Sequence, residues 1–320
     1  MKLLLLTFVW VSSLNSLMAV PAYPGIIQKT QSDGTTLNYY LFGDEYFSWA
    51  RTTDGYTIKH NTVGDYVYMI KDIDGDLVLS EVIAHDPESR SDAELLFLST
   101  LETEMFYSKE QMAIVQQAIA IRKAEDEKAS RAFPTTGNRK LICILIGFQD
   151  RAFVKTQAEF NALFNQVGYS TGGATGSVKD YYLESSYNQF NLTVDVAGPY
   201  VASRNMAYYG SNTSGNPSAL VREAINLADP HVNFAEYDND NDGYVDAVYI
   251  IFAGYGEEAG GPADAIWSHA SSLYPAVYKD GKYISRYSCS PELRGSYGQN
   301  ITNIGVICHE FGHVLGAPDY

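Results

Sequence analysis

Apolar and polar positions follow three different rhythms along this chain. Between residue 39 and about residue 86, aromatic and β-branched runs (39–42, 46–49, 56–58, 66–70 and 77–79) alternate with turn signals. That pattern predicts a β-meander, because strands of this kind are short and bounded by Gly, Asp and Asn. Asp33-Gly34, Asp54-Gly55 and Asp74-Gly75 are short-hairpin dipeptides. From about residue 91 to 131 the spacing turns helical, with Ala, Gln, Glu and Lys dominating 111–128. The stretch 123–131 reads as a solvated linker and a candidate cleavage site, or simply as an exposed helix end.

The third rhythm begins after residues 133–137 (Phe-Pro-Thr-Thr-Gly). Residues 140–148 form an unbroken apolar run, the signature of a strand buried on both faces. Helices are predicted over 157–166, 178–185 and 218–228, and strands over 190–196 and 245–252. A Gly/Ser/Thr loop spans 169–177. It contains Gly172, Gly173 and Gly176 but lacks the lysine of a phosphate-binding loop, so it reads as a flexible connection. Strands and helices mixed in this way predict an α/β or α+β domain behind a small β-rich one.

The apolar stretch 301–308 leads into His309, Glu310 and His313, and this is the chemistry-bearing part of the chain. Histidines four apart lie one above the other on a helix, so both imidazoles can reach one metal ion. Glu310, beside the first, can take a proton from a metal-bound water. Gly316 allows a sharp exit from the helix, and Asp319 follows as candidate third ligand, since a carboxylate oxygen is an acceptable zinc donor. The bland alternative is a surface helix with two capping histidines. A second acidic constellation, Asp238, Asp240, Asp242 and Asp246 around Gly243, resembles the start of an oxygen-rich calcium loop. The twelfth position is Tyr249 rather than glutamate, so it is not a complete EF-hand. The alternative is an acidic turn without metal. The Asp72, Asp74, Asp76 cluster is better explained by a tight turn.

Composition narrows the setting. A net charge of −16 and a pI near 4.7 argue against nucleic acid as partner. Residues 1–19 have the layout of a signal peptide: Lys2, an apolar run over 3–11 and small residues ending at Ala19. That run is too short for a normal membrane span, and no other segment is long and apolar enough. Three cysteines, Cys143, Cys289 and Cys308, are too few for a disulfide scaffold, leaving one bridge or none. Cys308 reads as core rather than ligand. His269, beside Trp267, reads as a packed, hydrogen-bonded histidine, with a role orienting a ligand as the alternative. The expected organisation is signal peptide 1–19, β-rich pro-region 20–105, helical linker 106–131 and catalytic domain 132–320.

These residues resemble the secreted metalloproteases of the immune inhibitor A-like family, of metzincin type. The resemblance rests on 133–137, on 177–182 with 186–190, on 238–246, on 253–258 with 266–269, and on 309–320. It implies a metzincin-type α/β (α+β) protease domain, zinc on His309, His313 and Asp319, and Glu310 as general base. It further implies extended protein or peptide substrates, calcium as a candidate second metal, and a pro-region that blocks the cleft until removed. Families of this type carry a methionine turn after the zinc motif. None of the six methionines follows His313, so the chain reads as truncated before its C-terminal subdomain, and weak zinc binding is expected. The pro-region holds no cysteine, which excludes a thiolate as its latency device. Three readings stand: a secreted zinc endopeptidase, a zinc aminopeptidase or other metallohydrolase, and a non-catalytic calcium-binding adhesion module.

Overall fold

The computed structural model describes residues 21–129, 133–210, 215–262 and 264–317. The signal-peptide segment and Asp319 lie outside the described residues. Two sheets organise the rest. The first is an antiparallel meander in sequence order: β1 (Ile27–Thr30), β2 (Thr36–Gly43), β3 (Ser48–Thr52), β4 (Thr57–His60), β5 (Tyr66–Lys71) and β6 (Leu77–Ile83). It starts one strand earlier than the alternation predicts, because β1 buries Ile27 but otherwise carries polar residues. The three Asp-Gly dipeptides occupy its turns, with Gly34, Gly55 and Gly75 at positive φ. Asp72 closes its turn by accepting from the amides of Asp74 (3.0 Å) and Asp76 (2.9 Å), which accounts for that acidic cluster without a cation.

Two helices follow, α1 (Asp92–Leu98) and α2 (Lys109–Ala129). The α1 helix carries Glu94 into the first core, where the Tyr68 hydroxyl donates to it at 2.8 Å. Helix α2 fills most of the expected linker and packs against the second sheet at β11 (His269–Lys279).

The second sheet comprises β7 (Gly137–Gly147), β8 (Phe190–Val201), β9 (Tyr244–Val245), β10 (Val248–Tyr255), β11 and β12 (Lys282–Leu293). Its order is β11-β12-β10-β7-β8, with β9 beside β12. All neighbours pair in parallel except β11, which runs antiparallel to β12 at the edge. Strand β7 is buried on both faces as expected. Ile142, Ile144 and Ile146 face α5 (Met206–Gly210) and α6 (Pro217–Ala228), while Leu141, Cys143 and Leu145 face α3 (Gln157–Asn165), α4 (Val178–Ser185) and α7 (Ile304–Val314). The β11–β12 hairpin was not foreseen. Its signal was Asp280-Gly281, both at positive φ in the turn.

The two sheets meet at one seam. Trp267 is buried in the core of the first sheet with Ile27, Leu37 and Tyr39. The amide of Tyr23 donates to the carbonyl of Glu258 at 2.8 Å.

Candidate metal centre

Helix α7 is capped by Asn303, whose side chain accepts from the amide of Val306 at 3.3 Å. Ile307, Glu310, Phe311 and Val314 form its buried stripe, and Phe311 meets Phe133 and Tyr182 edge-on at 5.1 and 5.5 Å. A helix held by that apolar face turns its other side, with His309 and His313, toward partial exposure. The C-terminal turn is a Schellman motif. Gly316 has φ +92°, its amide donates to the His313 carbonyl (3.0 Å), and the Ala317 amide donates to the Gly312 carbonyl (2.9 Å). The sharp exit expected of Gly316 is therefore present.

The two imidazoles converge, with their Nε2 atoms 3.0 Å apart. Two nitrogens on a tetrahedral zinc, each about 2.05 Å from it, lie roughly 3.3 Å apart, so the pair fits one ion. His313 Nδ1 donates to the Ala317 carbonyl at 3.0 Å. That bond puts the proton on Nδ1 and leaves the Nε2 lone pair for a metal, the usual arrangement of ligating histidines. Glu310 is 1% exposed, on the sheet side of α7.

The other sequence candidates fall into place around this helix. Cys308 packs in the core beneath α7, burial pushes its thiol pKa up, and its carbonyl accepts from the Tyr182 hydroxyl. Cys143, Cys289 and Cys308 are all free and buried, so no bridge forms. His269 is buried on the opposite face of the sheet, donating from Nδ1 to the Trp267 carbonyl (2.8 Å) and accepting at Nε2 from the Tyr287 hydroxyl (2.9 Å). The Gly-rich loop lines a pocket of about 590 Å³ together with the N-terminal turn of α7.

Of the acidic loop, Asp238, Asp240 and Asp242 come together with ligand atoms within 4.8 Å of one another. Asp246 stands apart from that group, because Asn239 holds its Oδ2 with both backbone and side-chain N–H groups (2.8 and 2.7 Å). Burial, above all, lifts its pKa to about 6. Lys282 already pairs with Asp238 at 2.6 Å.

Similarity to known proteins gives the class. Residues 149–320, just over half the chain, match the family described as immune inhibitor A peptidase M6, catalytic domain. The chain belongs to that family, and membership implies zinc. It is similar to the pre-pro-metalloprotease PrtV of Vibrio cholerae serotype O1, at 35% identity over 195 residues, covering 49% of this chain and 20% of that protein. It is also similar to immune inhibitor A of Bacillus thuringiensis subsp. alesti, at 29% identity over 185 residues, covering 46% of this chain and 26% of that protein. The chain thus matches about a quarter or less of these relatives' length. Among the described residues, no helix is long and apolar enough to cross a membrane.

Proposed function

We propose that this protein is a secreted zinc endopeptidase, made with a pro-region, that hydrolyses extended protein substrates. The observation that carries the reading is the 3.0 Å convergence of the His309 and His313 Nε2 atoms on a helix that also carries Glu310. His309, His313 and Asp319 are the proposed ligands. Zinc bound there would polarise the scissile carbonyl and lower the pKa of a bound water to about 7. Glu310 would serve as the general base and then as the proton donor to the leaving amine. An extended peptide finds backbone partners along β11, the antiparallel edge strand. Helix α2 packs against that strand, which supports a steric latency of the pro-region, residues 20–105 with linker 106–131. The pre-pro-metalloprotease designation of the Vibrio relative supports secretion behind a signal peptide over 1–19.

The acidic loop is proposed as a calcium site of three carboxylates, Asp238, Asp240 and Asp242, rather than four. The experiment for the main reading compares the protein, with its pro-region removed, and its Glu310→Gln variant on casein, with and without a zinc chelator. Chelator-sensitive proteolysis lost by about 10²–10⁴-fold in the variant is expected for a general base. Proteolysis that persists undiminished in the variant or in chelator overturns the reading. An Asp319→Ala variant that keeps full activity favours an aminopeptidase or other metallohydrolase with a different third ligand.

A further inference from the structure

We infer that Arg286 is a positioning residue for the metal site, holding the turn that aims His313. The inference rests on the zinc reading above. On β12, Tyr287 and Cys289 turn into the core beneath α6, whereas Ser288 lies in register with Tyr249, which faces α7. Arg286 shares the face of Ser288, two residues away on the same strand. Its register partner on β11 is Ser272, and Ala270 lies beside it on the same face. Small side chains there let α7 come close to the hairpin, and α7 packs against both strands. The long stem of Arg286 runs into that space, and its Nη2 donates to the His313 carbonyl at 3.1 Å.

That carbonyl is not an arbitrary acceptor. It also receives the Gly316 amide, and the turn it closes presents the Ala317 carbonyl to His313 Nδ1. A closed circuit results: Arg286 fixes the His313 carbonyl, the carbonyl fixes the turn, and the turn fixes the ring and its tautomer. A guanidinium is suited to the task because it stays protonated at any working pH and complements the negative end of a helix. The same turn leads directly to Asp319. Without Arg286, the imidazole keeps its place in sequence but loses the constraint that points Nε2 at His309.

The test uses the full protein, with zinc affinity measured by competition against a chromophoric chelator. Arg286→Met keeps the stem and removes the donors; Arg286→Lys restores one charged donor. The Met variant is expected to lose about 10–100-fold in zinc affinity, the range for losing a group that orients a ligand, and the Lys variant to recover most of it. In metal-free protein with ¹⁵N-labelled histidine, His313 is expected as the Nδ1–H tautomer in the parent and as a tautomer mixture in the Met variant. Affinity of the Met variant equal to the parent's, or an unchanged His313 tautomer, overturns the inference. A His309→Ala control separates the two claims: if it binds zinc as the parent does, the zinc reading itself fails, whatever Arg286 does.

Discussion

The hydroxyl of Tyr182, on α4, donates a 2.7 Å hydrogen bond to the carbonyl of Cys308, the residue before the first zinc-ligand candidate on α7. The ring itself is clamped edge-on between Phe190 (5.6 Å) and Phe311 (5.5 Å). Burial raises the hydroxyl's pKa well above the usual phenol value, so it remains a donor throughout the working range. Tyr182→Phe keeps the aromatic packing and removes only the bond. We expect a loss of about 1 kcal/mol in stability, measured by denaturant unfolding in chelator. A loss above about 3 kcal/mol would mean that the ring, not the bond, is what the substitution disturbs.

Two histidines in and beside the first sheet oppose each other in their pH dependence. Burial, helped by Lys29 nearby, pushes the His60 pKa down to about 3. The unfolded chain protonates it near 6.5, so its contribution is complete above that value and is lost as pH falls from 6.5 toward 3. The slope is at most about 1.4 kcal/mol per pH unit. His85 behaves the other way. Burial alone would lower its pKa, but Asp33 and Glu94, each 2.8 Å away, raise it overall. Its contribution is full below 6.5 and is lost as pH rises through the raised value. His60→Phe, which preserves the tilted ring contact with Tyr66 at 3.8 Å, should flatten the melting temperature between pH 6.5 and 4. His85→Gln should destabilise more at pH 5 than at pH 8. Parallel pH profiles for parent and both variants would contradict this account.

Much of this molecule was legible where local chemistry decides structure. The hairpins announced themselves through Asp-Gly pairs, β7 through its unbroken apolar run, and the candidate metal-site helix through the spacing of His309 and His313 with Gly316 behind them. The β11–β12 hairpin was hidden because serines on both of its faces, Ser271, Ser272, Ser285, Ser288 and Ser290, weaken any apolar alternation. Once that hairpin was missed, Arg286 could not be placed opposite α7. Asp246 was grouped with the other aspartates because spacing alone cannot reveal that Asn239, folded back between Lys140 and Asp246, would claim it.

The acidic loop invites a test through its cation. Lys282 occupies Asp238 Oδ2 and must be displaced if calcium binds the three carboxylates. Lys282→Met should therefore tighten calcium binding, measured by isothermal titration. Calcium at a hundred times its dissociation constant should add about 2.7 kcal/mol of stability. Absence of calcium-dependent heat or stabilisation in both parent and variant would leave the loop as an acidic turn held by Lys282.

The seam between the two sheets includes one very close approach. Gly260 sits at φ +84°, and a Cβ there would stand 2.3 Å from Ile27 Cγ2. An alanine meets two penalties at once: a left-handed backbone worth roughly 1–2 kcal/mol and overpacking against β1 worth about 1–3 kcal/mol. Only the second depends on Ile27. Gly260→Ala should loosen the first sheet from the segment carrying Trp267, and limited proteolysis should cut between the two sheets faster. Shortening the partner in the double variant Gly260→Ala, Ile27→Ala should recover the steric part and leave the backbone part. Its loss of unfolding free energy should then fall short of the sum of the two single losses by about 1 kcal/mol or more, the coupling expected of residues in contact. Additive losses would place the cost of Gly260→Ala in the backbone alone and remove Ile27 from the account of the seam.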